Sequence, residues 1–433
     1  MNLFKLSWKY LTFRPLSTGL NVLLLAMGLA IITVLLLMQD QFEKKMTQDA
    51  AGIDLVVGAK GSPLQIILSG VYHIDFPTGN IPMEEAKKLT RNRLVKSVIP
   101  LALGDNYQGF RIVGTNHDYL NLYDIEFEEG KEWEFPFEIV LGAEIAKKSG
   151  LGVGDTFEGS HGISDGSHDH EDHPYQVVGV LKSKGNVVDR LILTSIESVW
   201  YTHDEEYSDE VSEEEIDSLT TESLIAEAES PEIHQDKFHS AVAKTGFPET
   251  VLPRDVTTLL LQYRNPIAAV QLPRQINSGT SMQAASPSFE MLRLFELLGV
   301  GVRLLQGLAF VLIAISGLGI FIALYNSLKE RKYDLAILRA IGASRTQLLF
   351  LIIMEGILLT FLGAVLGILL GHTFLWIVIS QNDQGVISTL QAWIFLKEEL
   401  WLLIYALGVG LLASIIPAWS AYQTSIAKQL TKA

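Results

Sequence analysis

The sequence contains no cysteine, so disulfide bridges, thiol catalysis and cysteine-ligated zinc are excluded. No G-x-x-x-x-G-K-[ST] phosphate loop occurs; the nearest glycine cluster, Gly58-Ala59-Lys60-Gly61-Ser62-Pro63, has the wrong spacing. H-E-x-x-H is absent, and so is S-x-x-K accompanied by its partner motifs. Positive charge is scarce as well: 33 Lys and Arg stand against 49 Asp and Glu, a formal net charge of −16. Phosphate backbones are bound by clustered Lys and Arg, so nucleic acid is not expected as a partner.

What the chain has instead is long apolar runs set in polar sequence, with a mean hydropathy of +0.27 over 433 residues. A bilayer core of about 30 Å calls for roughly 20 apolar residues in a helix. Four runs qualify, at 19–38, 304–324, about 357–379 and 401–422. With their flanks the spans are placed at 19–38, 299–325, 348–379 and 401–422. The first run competes with a cleaved signal peptide. Its apolar stretch exceeds the about 7–15 residues of a signal core, and no small-x-small site follows in Met38-Gln39-Asp40-Gln41.

Charge sets the expected orientation. Segment 1–18 carries Lys5, Lys9 and Arg14 with no acid. Segment 326–347 carries Lys329, Arg331, Lys332, Arg339 and Arg345 against Glu330 and Asp334, and the tail 423–433 carries Lys428 and Lys432. Four spans put all three on one side, and the positive-inside rule makes that side the cytoplasm. Both termini are then cytoplasmic, and 380–400 is a short outer loop. The segment 39–298 faces outward, holding 43 of the acids and 21 of the bases, a net −22.

That outer segment is long enough to bury its own core. Residues 82–89 read as a helix started by Pro82, with Glu84 and Glu85 suited to its dipole. Runs at 95–103, 110–114 and 175–181 read as strands, and 138–155 as strand, helix and glycine-rich turn. The expectation is two small α/β lobes, the second near 136–200. The fold class is thus a membrane protein: four transmembrane α-helices and a large α/β extracytoplasmic domain between the first and second spans.

Two stretches look inserted into that domain. Residues 161–173 interleave His161, His168, His170 and His173 with Asp165, Asp169, Glu171 and Asp172. Imidazole ligates zinc and its neighbours, and carboxylates complete a shell, so Zn2+ or a similar divalent metal is the ligand this loop suggests. The competing reading is a solvated loop. Residues 203–232 hold thirteen acids and no Lys or Arg, the signature of a solvated or unfolded run, with cation capture as the sharper alternative. Elsewhere His73 and Lys60 would suit a hydrolase but are more ordinary as structural residues. His372 and Glu355 lie in the third span, where an ionisable side chain is a functional candidate.

The most specific signal follows the second span. Residues 326–345 read NSLKERKYDLAILRAIGASR. Leu335, Ile337, Leu338 and Ile341 predict the apolar stripe of a short helix, and Gly342 is placed to end it. The stripe reads as a surface for a partner's groove. Here the chain resembles the MacB/FtsX-like permeases, whose corresponding loop runs E-R-x-x-E-I-G-[IL]-L-R-A-[LI]-G-A-[ST]. This sequence has Glu330-Arg331 followed by Asp334-Leu335-Ala336-Ile337-Leu338-Arg339-Ala340-Ile341-Gly342-Ala343-Ser344, with Asp334 for Glu and Leu335-Ala336 for Ile-Gly. Pro417-Ala418-Trp419-Ser420-Ala421 matches the family's P-A-x-x-A, while Ser425-Ile426 replaces its usual Asp-Pro. Val140-Leu141-Gly142, Gly152-Val153-Gly154-Asp155 and Val177-Val178-Gly179-Val180-Leu181 also follow family habit. The block 57–82, rich in Gly, Pro and aromatics, resembles a segment found in one branch of these permeases.

The resemblance implies a permease without cofactor or catalytic residues of its own, coupled to a cytoplasmic ABC ATPase that uses the ATP. It would pair with a second copy or a sister permease, and a periplasmic or lipoprotein partner fits the outer domain. The coupling residues would be Glu330, Arg331, Asp334, Leu335, Ile337, Leu338, Arg339, Ile341 and Gly342. Two other readings stand beside it: an FtsX-like signalling subunit that activates an envelope hydrolase without transport, and a membrane enzyme, which no nucleophile–base pair favours.

Overall fold

A bilayer offers no hydrogen-bond partners to the backbone, so apolar runs of this length must satisfy their amides internally, as helices. The computed structural model describes residues 3–13, 15–161, 174–202, 241–250, 252–381 and 390–423. In it the four runs lie in helices Pro15–Asp49, Pro287–Glu330, Arg345–Ser380 and Lys397–Tyr422, each long and apolar enough to cross a membrane. The fold class is four membrane-spanning helices with a large α/β domain between the first and the second. The chain divides into two compact units, one of residues 1–43 with 296–433, the other of residues 44–295.

In the membrane unit, segment 1–18 contributes a helix, Leu3–Phe13, that its mixed sequence did not announce. Ser7 and Leu11 are buried on it, while Phe4, Trp8 and Phe13 are exposed. The Ser7 hydroxyl donates to the Leu351 carbonyl at 3.4 Å. The third span packs through its small residues. A methyl group added at Gly367 would lie 2.8 Å from the Ala26 carbonyl oxygen of the first span, and one at Gly356 would lie 2.9 Å from the Gly410 carbonyl of the fourth. Without a hydrophobic drive between helices in lipid, such backbone approach supplies the dispersion contacts that hold them. The G-x-x-x-G-x-x-x-G spacing of Gly363, Gly367 and Gly371 is legible in the sequence once its purpose is known.

The outer unit is built on a twisted sheet. Its strands are β1 (Leu55–Ala59), β2 (Ile81–Pro82), β3 (Val95–Tyr107), β4 (Phe110–Thr115), β5 (Phe127–Gly130), β6 (Glu138–Leu141), β7 (Thr156–Phe157), β8 (Ser160–His161), β9 (Tyr175–Leu181), β10 (Leu191–Ser195), β11 (Asp255–Val256), β12 (Thr258–Tyr263) and β13 (Met282–Ala285). The main path runs β13-β1-β12-β3-β4-β10-β6-β9-β5; β7 and β8 join β9 and β3, and β2 pairs β11 separately. The two-lobe expectation needs correction. β3 pairs β12 along residues 95–101 and β4 along 102–107, so one long strand serves both halves of the sheet. Two apolar cores flank that handover, one around Leu55, Leu259 and Leu272, the other around Ile139, Tyr175 and Ile192. The second half therefore takes in β4 and begins well before residue 136. A second correction is smaller: the helix is Met83–Thr90, and Pro82 is its N-cap rather than part of its first turn.

The block 57–82 acquires a role here. Ser62 caps helix Pro63–Gly70, whose Ile66 and Ile67 are buried. The chain then turns through Tyr72 and His73, with His73 in the left-handed region at φ 55°.

Candidate functional site

The loop after the second span is a helix, Lys332–Ala340, joined to helix Pro287–Glu330 through Arg331 alone. Its end is closed by a Schellman pair: Gly342 N–H donates to the Arg339 carbonyl at 3.1 Å and Ala343 N–H to the Leu338 carbonyl at 3.0 Å. Gly342 has φ 113°, which a side chain would resist, so the glycine that sequence placed at the stop is conformationally required. Ser344 then opens the third span with a capping box, its hydroxyl accepting from Gln347 N–H while the Gln347 side chain accepts from Ser344 N–H.

Burial redistributes the predicted coupling residues. Leu335 is buried with Leu11, Leu328 and Leu348, and Leu338 packs against the same cluster, so these two face the protein's own core. Ile341 is 80% exposed and Ile337 and Tyr333 are exposed as well. At spacings of four, Tyr333, Ile337 and Ile341 form one face, with exposed Asp334 beside it and exposed Glu330 one turn earlier. Of the predicted stripe only Ile337 and Ile341 are therefore offered outward, joined by Tyr333, while Leu335 and Leu338 turn inward. Arg339 is half-buried.

Arg331 is not a surface charge either. Its guanidinium reaches Glu355 Oε1 at 3.2 Å, donates to the Tyr10 carbonyl at 3.2 Å and lies 3.9 Å from the Tyr10 ring centroid. Glu355 is 2% exposed, so the pair is paid for by geometry and not by water. One side chain thus ties the start of the loop helix to the third span and to helix Leu3–Phe13.

In the outer unit, the last turns of helix Pro15–Asp49 are gripped by the domain. Tyr72 Oη donates to the Met46 carbonyl at 3.2 Å, Tyr123 Oη to the Asp49 carbonyl at 2.7 Å, and Lys45 Nζ to the Gly185 carbonyl at 2.8 Å. Asp49 faces Arg190 Nη2 at 3.5 Å, both side chains nearly or wholly buried. Arg111 fixes the neighbouring turn, donating to the carbonyls of His73 at 3.1 Å and Asp75 at 2.7 Å. Burial, helped by Arg111 and Arg190, pushes the His73 pKa down to about 3, so its ring is neutral. Lys60 Nζ donates to the Asn277 and Thr280 carbonyls at 3.0 Å, closing the end of helix Ala268–Gly279. Neither residue is arranged as a hydrolase pair.

His168, His170 and His173, and the acidic run 203–232, lie outside the described residues, and of His161 only the β8 backbone is described. The same loop spells Gly162-Ile163-Ser164-Asp165-Gly166, the G-x-S-x-G spacing of a nucleophile elbow, and it too lies outside them. Among the described residues no cluster of three or more His, Asp or Glu is placed to hold a metal.

Four spans, a large domain after the first, and a capped helix wedged between the second and third define an integral membrane protein of the permease type. Residues 18–237 match the family described as MacB-like periplasmic core domain, and residues 307–429 match FtsX-like permease C-terminal. The chain belongs to the MacB/FtsX-like family of ABC transporter permeases. Over 125 residues it is 27% identical to an uncharacterised ABC transporter permease of Methanocaldococcus jannaschii, a stretch covering 29% of this chain and 31% of that relative. It is similar to the periplasmic region of MacB from Actinobacillus actinomycetemcomitans at TM-score 0.32 and 10% identity, covering 58% of this chain and 97% of that one. It is also similar to the extracellular domain of YknZ, a noncanonic ABC-type transporter from Gram-positive bacteria, at TM-score 0.27 and 13% identity, covering 54% and 99%.

Proposed function

We propose that this chain is the non-catalytic membrane subunit of an ATP-driven envelope complex, with its termini and the loop helix in the cytoplasm. A separate ABC ATPase docks on the Tyr333–Ile337–Ile341 face. The observation that carries this reading is the split of the loop helix into a buried face and an exposed apolar one, with Arg331 anchored at its start. A push on the exposed face travels through Leu335 and Arg331 into the third span and helix Leu3–Phe13. The first span ends in the grip of Tyr72, Tyr123, Lys45 and Arg190, which suits it to pull on the outer domain. A lever of this kind fits spans that offer few charges to line a polar channel. A second copy or sister permease completes the membrane part, and a periplasmic or lipoprotein partner meets the outer domain. The same lever would serve an FtsX-like signalling subunit acting on an envelope hydrolase.

Ile341→Asp should leave the permease inserted and folded but abolish stimulation of the ATPase by the membrane subunit. Unchanged assembly and stimulation would remove the docking assignment. Leu338→Asp, which reaches the inner face, should also lower stability. Orientation is tested separately in this cysteine-free chain: Ser167→Cys and Ser218→Cys should react with an impermeant thiol reagent from outside, and Ser344→Cys should not.

The four histidines at 161–173 support a second reading, transient binding of Zn2+ or a similar ion. Calorimetry on the full chain should detect zinc uptake that His161→Ala, His168→Ala, His170→Ala and His173→Ala together abolish. Uptake should fade below about pH 6.5, where imidazole protonates; equal uptake by the fourfold variant removes the reading.

A further inference from the structure

His372, in the third span, is fully buried, and Glu399, in the first turn of the fourth, is 5% exposed. The imidazole is fixed on both edges. Nδ1 lies 2.6 Å from the Ala392 carbonyl oxygen, and Nε2 lies 3.2 Å from Glu399 Oε2. Its faces are covered by Trp393, near-parallel at 5.7 Å, and Phe395 at 4.5 Å. Glu399 Oε1 accepts from Leu396 N–H at 3.2 Å.

These contacts dictate a proton count. A carbonyl oxygen only accepts, so Nδ1 must carry hydrogen. A neutral imidazole then presents a bare lone pair at Nε2, facing a carboxylate oxygen that also only accepts. The pair is satisfied by one additional proton, as imidazolium with carboxylate or as imidazole with carboxylic acid. Either form has zero net charge, which a buried site favours. Losing that proton leaves two lone pairs opposed and one uncompensated negative charge. A further proton leaves an uncompensated positive one.

We propose that His372 and Glu399 form a proton-binding latch, holding a single shared proton that fastens the 390–396 segment and the start of the fourth span to the third. Segment 390–396 is in turn bound to the first span. Gln41 Nε2 donates to the Gln391 carbonyl at 3.0 Å, and Gln391 N–H donates to Gln41 Oε1 at 2.7 Å. Leu37 packs with Leu375 and Ala392 beside them. One proton therefore closes a contact among three spans, at the end of the third span away from the loop helix. The first span brings Leu37 and the uncharged Gln41 to this segment and Thr33 to Gly371, with Asp40 on the same helix, and the neighbouring charges Lys397 and Glu398 are exposed. Among the described contacts Glu399 is the one ionisable partner of the ring. The inference stands apart from the ATPase reading, since it concerns the spans' own packing.

The test uses the purified full chain in nanodiscs. The carboxamide of Glu399→Gln donates to a bare Nε2 and still accepts from Leu396, so it satisfies the site without the proton. Wild type should lose melting temperature on alkalinisation, and Glu399→Gln should lack that part of the shift. His372→Ala should melt several degrees lower at every pH. Nitrogen-15 spectra of the histidine ring, assigned by loss of the signal in His372→Gln, provide a readout that needs no stable Glu399 variant. They should show the Nε2 signal displaced from that of a free neutral ring toward a proton-sharing one at neutral pH. An alkaline profile in Glu399→Gln identical to wild type, or an Nε2 signal of an unshared neutral ring, overturns the latch.

Discussion

The third span carries a buried acid–base contact near each end, and the two are built differently. Near the loop helix, Glu355 meets Arg331, a group that stays cationic at any physiological pH. Toward the other end His372 Nε2 meets Glu399 Oε2 at 3.2 Å, the contact to which the latch assigns a shared proton. The arginine pair joins a fixed cation to a buried carboxyl; the histidine pair, on the latch proposed above, depends on a proton.

The comparison breaks most severely if the arginine pair is cut. Arg331→Ala leaves Glu355 buried without its cation, a loss of about 3–5 kcal/mol of the kind seen when one member of a buried pair is removed. A thermal melt of the purified protein should show it, and Arg331→Lys should recover only part, since ammonium cannot reach Glu355 and Tyr10 together. A melt unaffected by Arg331→Ala would make the pair incidental.

Next in size is the small-residue packing of the third span between the two contacts. Gly367→Leu drives side-chain atoms against Ala26 and Leu29 of the first span, where a Cβ alone would be 2.8 Å from each. Overpacking costs about 1–3 kcal/mol or more, and insertion should persist while stability drops. Gly408→Ala, where nothing lies within 4 Å of an added methyl, is the control and should be neutral.

The outer domain has its own titrating group, with a different sign. His73 is held neutral with a pKa of about 3 against an ordinary 6.5, so the unfolded chain binds a proton the folded one refuses. Stability contributed this way is complete above pH 6.5 and is lost as pH falls from there toward 3. His73→Asn, which tolerates the left-handed backbone, should flatten that acid limb in a denaturant titration. A limb unchanged in this variant would assign it to other groups.

The smallest effect is expected at the first span's anchor. Tyr72→Phe removes one hydrogen bond to the Met46 carbonyl, about 1 kcal/mol. Its interest lies in combination: if the anchor carries force, Tyr72→Phe should weaken the outer-domain response more than its stability cost suggests, measured as cross-linking yield in the ATP-driven complex.

Much of this was legible beforehand, for identifiable reasons. Transmembrane runs are read from length and hydropathy because a bilayer permits so few backbone solutions. Gly342 as a helix stop was readable because a positive φ selects glycine. Strands 95–103 and 175–181 were readable from β-branched runs. The orientation of the loop helix was not. Leu335, Leu338 and Ile341 share spacing and hydrophobicity, and only the positions of Leu11 and Leu348, far off in sequence, decide which are covered. The same holds for Glu355, an ionisable residue of the third span whose partner, Arg331, is set by the fold.

The sequence by itself determined that this chain crosses a membrane four times, carries one large polar domain, and resembles a permease lacking its own phosphate loop. Those properties are sums over local composition and spacing. Tertiary structure alone decided that His372 meets Glu399, that β3 serves both halves of one sheet, and that Tyr333, not Leu335, faces outward. Each is a matter of which distant residue arrives within about 3–4 Å of another, the range over which hydrogen bonds and packing act.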